Sequence, residues 1–172
     1  MRAYAKYLGY AALTGVVVSG IAYAATQSVT ANATFDSALT LTKNNDINFG
    51  TLKALTSGTY VISTAGVVTP SAGGVVINGT PNAGSITITG SATQTVAIST
   101  GSYVADAGVT PSAATCNYNG SPIANCDTGG TGLTAPGGGG KTLLLGVQIV
   151  ADGTQTAGST AAPTFVVTVV YG

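Results

Sequence analysis

Two cysteines, five aspartates and one glycine-rich lysine segment are the residues of this 172-residue chain whose types and spacing could carry chemistry. Cys116 and Cys126 enclose a nine-residue stretch with Asn-Gly and Ser-Pro turn signals, so an oxidising compartment would close them into a disulfide-bounded surface loop. Their spacing is not that of a redox pair, and with no histidine in the chain no zinc shell can be completed around them. Ala135-Pro136-Gly137-Gly138-Gly139-Gly140-Lys141-Thr142 imitates a phosphate loop, and Gly130-Thr131-Gly132-Leu133-Thr134-Ala135 imitates a dinucleotide fingerprint. Both mechanisms need a helix after the glycines whose N-terminal amides hold phosphate, whereas Leu143 to Val150 reads as a strand. A flexible loop is the better account. Asp127 and Asp152, with loop carbonyls, could hold calcium, yet nothing has EF-hand spacing.

General acid and base work would fall to Asp36, Asp46, Asp106, Asp127 and Asp152 alone, because the chain has no histidine and no glutamate. A Ser/His/Asp triad is therefore impossible within it. The sequence predicts a protein that is not an enzyme and needs no cofactor. Charged residues make up only 6% of the chain, far below an ordinary soluble surface. No basic patch exists to hold nucleic acid or anionic lipid.

The elements that must position these residues are strands. Arg2 and Lys6 precede an apolar run from Tyr7 to Tyr23 that ends in Ala22-Tyr23-Ala24, the grammar of a cleaved secretory signal over residues 1–24. Residues 25–172 then form one domain that meets a membrane only during export. From Val29 the odd positions Val29, Ala31, Ala33, Phe35, Leu39 and Leu41 are apolar between mostly polar neighbours, a period-two strand pattern. Gly50, inside Ile47 to Leu52, suggests a bulge or a close backbone approach. Ser85 to Thr89 and Thr93 to Ser99 alternate around Gly90-Ser91-Ala92, which predicts a hairpin. Gly101 to Gly140 reads as the loosest region, with one or two weak strands. Thr164-Phe165-Val166-Val167-Thr168-Val169-Val170-Tyr171 is β-branched or aromatic at every position and reads as a core strand buried on both faces. About eight strands in one domain predict an all-β, immunoglobulin-like or Greek-key β-sandwich, with a closed barrel as the other solution.

Asp46-Ile47-Asn48-Phe49-Gly50-Thr51-Leu52 after an alternating first strand, the Ile86 to Ser99 segment and the closing Val167-Thr168-Val169-Val170-Tyr171 resemble an uncharacterised family of exported bacterial domains. That resemblance implies an immunoglobulin-like sandwich at the cell surface and supplies no catalytic residues. More distantly, the chain is similar to fimbrial subunits of the chaperone–usher type. In that likeness Val29, Ala31, Ala33 and Phe35 match the positions donated to a neighbouring subunit, and Phe165, Val167, Val169 and Tyr171 match those facing a periplasmic chaperone. The cysteines depart from it, lying in the second half of the domain rather than the first. The expectation is thus an exported structural protein, a pilus-like subunit self-associating by β-strand addition. The competing reading is a monomeric extracellular binding or adhesion module, for instance one recognising carbohydrate.

Overall fold

Alternation becomes a strand only where a second strand supplies hydrogen bonds, and that condition decides which stretches of this chain are ordered into sheets. The computed structural model describes residues 27–123 and 125–172, so the expected signal over residues 1–24 lies outside the described residues. The strands are β1 (Thr40–Asn45), β2 (Thr51–Leu52), β3 (Ser57–Ile62), β4 (Val68–Ser71), β5 (Val76–Asn78), β6 (Gly84–Thr89), β7 (Val96–Val104), β8 (Val109–Tyr118), β9 (Ser121–Ile123), β10 (Gly130–Leu133), β11 (Lys141–Asp152) and β12 (Thr164–Tyr171). The described residues contain no helix. Twelve strands exceed the eight expected chiefly because the stretch from Gly101 to Gly140, read as one or two weak strands, holds β8, β9 and β10.

Two antiparallel sheets form a β-sandwich. The larger is organised around β11, whose one edge pairs with β8 and whose other edge pairs with β6 through Leu145 and with β3 from Val147. Strands β1, β4 and β9 extend it outward. The smaller sheet has the order β10-β7-β12, and among the described residues β2 pairs with β5 alone. At Gly146, opposite Thr115 of β8, a Cβ would stand 2.2 Å from the Ile62 carbonyl oxygen, so a glycine is required where β11 passes between its neighbours. Tyr60, Ile62, Ile88, Tyr118, Leu143 and Val147 of the larger sheet meet Val96 and Ile98 of β7 in the core.

Four sequence expectations are corrected here. The period-two run from Val29 to Leu41 yields a strand only from Thr40; residues 27–39 carry no strand, and Val29, Ala31, Ala33 and Phe35 are exposed. Alternation states which face would be buried on pairing and does not create the partner. The expected hairpin around Gly90-Ser91-Ala92 is instead a crossing between sheets, since β6 pairs with β1 and β11 while β7 pairs with β10 and β12. Ser91 in that crossing is buried, and the Gly137 N–H donates to its carbonyl at 2.8 Å. Gly101 to Gly140 is not loose, because it contains the ten-residue β8 and its hairpin to β9, turned at Asn119-Gly120 with both φ angles positive. Strand β12 is not buried on both faces: among the described residues it pairs only with β7, and its even residues Val166 and Val170 are half-exposed. Composition cannot tell a core strand from an edge one, because β-branched residues suit both.

Candidate strand-accepting groove

The edge position of β12 fixes where its backbone points. In an antiparallel ladder alternate residues exchange hydrogen bonds with the partner, and the residues between them direct N–H and C=O the other way. The Gly172 N–H donates to the Thr95 carbonyl at 3.0 Å. With Val170 opposite Ala97, Thr168 opposite Ser99 and Val166 opposite Gly101, the even residues bond to β7. The odd residues Phe165, Val167, Val169 and Tyr171 therefore turn their main-chain groups to the free edge. Those same residues pack their side chains against the core. All four positions singled out in sequence thus share one face and one edge.

Beside the first half of that edge lies an open groove of about 1070 Å³. Phe165 and Val167 form one wall, and the floor includes Leu145, Val147, Ile149 and Ala151 of β11. Those four β11 side chains are themselves buried, so the groove runs beside the core rather than leaving it bare. Gln155 to Pro163, leading into β12, also lines the groove, and a further wall is the segment from Asp46 to Lys53, with Ile47 and Phe49 packed against the core. Asn48 braces this wall: its N–H donates to the Asn82 carbonyl at 3.0 Å, its carbonyl accepts from the Asn82 N–H at 2.9 Å, and its Oδ1 accepts from the Gly50 N–H at 2.8 Å. Gly50 has φ +74°, and a Cβ on it would lie 2.8 Å from the Asn78 carbonyl oxygen, which is the close approach its position in the motif suggests. Nothing in sequence signalled that this motif lines the same groove as β12, since a wall is made by tertiary packing.

The remaining candidate residues are dispersed. Cys116 and Cys126 are joined, with Cα atoms 5.6 Å apart; the stretch they enclose is exposed from Asn119 to Pro122, but both cysteines are buried, Cys116 on the inner face of β8. Asp127 follows the disulfide and accepts from Thr100 Oγ1 at 2.7 Å and from the Tyr103 hydroxyl. Burial, and then the hydrogen bond with Asp127, push the Tyr103 hydroxyl above its ordinary pKa. Asp152 accepts from Thr154 and Gln155, which hold its carboxyl below the usual carboxylate range, Thr154 contributing most. Among the described residues no three His, Cys, Asp or Glu side chains gather as a metal site. The glycine-rich segment enters β11 at Lys141, and without a helix there its amides do not form a phosphate cradle.

A family model described as a domain of unknown function (DUF4402) matches residues 39–171. No curated protein and no solved structure matches the chain.

Proposed function

The chain belongs to the DUF4402 family, a domain of unknown function, and on that premise we propose from its own geometry that it is an exported cell-surface structural subunit that polymerises by β-strand addition. In this reading the N-terminal segment of one copy enters the groove of the next, with Val29, Ala31, Ala33 and Phe35 directed inward and main-chain bonds made to the odd residues of β12. Main-chain bonds bring affinity in such pairing, and alternate side chains in pockets bring register.

One observation carries the proposal: β12 turns the main-chain groups of Phe165 and Val167 toward an open groove floored by core residues, in a chain that also exposes a strand-like apolar segment. Val29 is 90% and Phe35 92% exposed. An unpaired apolar edge is a template for another chain, and few charges are available here to repel one. The chemistry is main-chain recognition and involves no catalytic residue. A periplasmic chaperone would be a further partner, offering its own strand to the same edge before assembly. The test is to run a periplasmic or surface extract unboiled on a denaturing gel. A ladder of multimers is expected; a single monomer band, with the purified protein monomeric in solution, would favour the binding-module reading.

A further inference from the structure

Resting on the strand-addition reading, we infer that Tyr103 is a positioning residue for the groove, seating Phe165 where an incoming strand must pack. The two rings lie 5.7 Å apart between centroids, at 35° to one another. Phe165 lines the groove and Tyr103 does not.

Regular alternation would send Tyr103 outward. Ala97, Ser99 and Gly101 of β7 alternate with the buried Val96, Ile98 and Thr100, so an unbroken strand would put Tyr103 on the outer face with the first set. A bulge reverses this. Gly101 is opposite Val166 and Val104 opposite Thr164, so Ser102 and Tyr103 together face Phe165, and Ser102 takes φ +52°. A bulge commonly re-aims a side chain in this way. A second bulge serves the same hydroxyl. On β8, Ser112 is opposite Gln148 and Thr115 opposite Gly146, which leaves Ala113 and Ala114 facing Val147, with Ala113 at φ +49°. The Ala114 N–H then donates to the Tyr103 hydroxyl at 2.8 Å, and that hydroxyl donates to Asp127. Neither Ser102 nor Ala113 is a glycine, and the left-handed region is disfavoured for both. Two disfavoured residues on two strands converge on one hydroxyl.

The far end of the relay is anchored. Asp127 directly follows Cys126, whose disulfide partner Cys116 is on β8 and whose carbonyl accepts from the Thr100 N–H at 2.9 Å. The carboxylate is therefore fixed to both β7 and β8, and Tyr103 is held between them against the Phe165 ring.

The experiment titrates the full-length secreted chain, at a dilution where it is monomeric, with a synthetic peptide of residues 27–39, and follows ¹³C-labelled phenylalanine rings by NMR. Phe35, Phe49 and Phe165 are the only phenylalanines, so three ring signals report the whole chain. Tyr103→Phe keeps the ring and removes its hydroxyl. It should shift the Phe165 signal, leave that of Phe49 in place and weaken peptide binding about ten-fold. Should that variant fail to fold, Asp127→Ala keeps the tyrosine, removes its anchor and is expected to act in the same direction. Wild-type binding with an unmoved Phe165 signal and unchanged affinity in the folded variants overturns the role of Tyr103 alone. Absence of peptide binding and of multimers in the wild type overturns strand addition, and this inference with it.

Discussion

The hydroxyl of Tyr171 donates to the carbonyl of Ser37, 134 residues away in sequence, and accepts from the Ser91 N–H at 2.7 Å. One side chain thereby ties β12 to the segment ahead of β1 and to the crossing between the two sheets. Ser91 completes the tie, its hydroxyl donating to Asp36 and accepting from the N–H groups of Thr93 and Gln94 at 3.0 Å. Removing the hydroxyl with Tyr171→Phe leaves the ring packed but strands the Ser91 amide. The expected cost is about 1–3 kcal/mol, read from the midpoint of denaturant unfolding. An unchanged midpoint would show that water replaces both bonds.

The parity of β12 predicts opposite outcomes for neighbouring valines. Val167→Asp puts a carboxylate on the face packed against the core and lining the groove, at a cost of several kcal/mol and with loss of multimers. Val166→Asp, on a half-exposed outward position, should stay within about 0.5 kcal/mol of wild type. Equal effects on folding and on the unboiled ladder would contradict the assigned face.

Deleting Ala25 to Thr34 removes three of the four proposed donor positions and none of the strands β1 to β12. A folded monomer with no multimers is expected by size-exclusion chromatography and circular dichroism. Unchanged assembly, or an unfolded product, would return those residues to their own domain.

The disulfide crosses from β8 to the turn before β10, so the paired Cys116→Ala, Cys126→Ala variant should lose about 3 kcal/mol of stability by the loop-entropy relation. Alkylation of the native protein, before and after reduction, checks the bond by mass. Two cysteines alkylated without reduction in secreted protein would refute it.

Acid should destabilise the fold through Asp36 and Asp152. Asp36 lies below its ordinary 3.8 chiefly because the Ser91 hydroxyl donates to it, with the Ser37 amide second. Asp152 is lowered in the same direction by Thr154 and Gln155. A carboxyl whose folded pKa is depressed contributes stability that is fully present above its unfolded pKa and is lost as pH falls through the lower folded value. The unfolding midpoint should therefore be flat from about pH 7 to 5 and decline below about pH 4. The decline should be shallower in Asp36→Asn, Asp152→Asn, and an equally steep one would remove these two groups as its cause.

Much of the architecture was legible without coordinates. Six per cent charge, no helical period and repeated runs of Thr and Val specify an all-β chain, because side-chain periodicity and β-branching are local properties. The odd parity of Phe165, Val167, Val169 and Tyr171 was equally readable, since it depends only on the period of two. What the tertiary structure alone decided is which strands lack partners. That β12 is an edge, that β6 and β7 part into different sheets, that Val29 to Leu39 has no strand and that the cysteines are buried all depend on pairings tens of residues apart. The same holds for the bulges at Ser102 and Ala113, where one extra residue on one strand is defined only against the strand opposite. Local sequence sets which face of each strand is apolar; the choice of neighbour, and with it the open groove beside β12, is settled by how two sheets share one core.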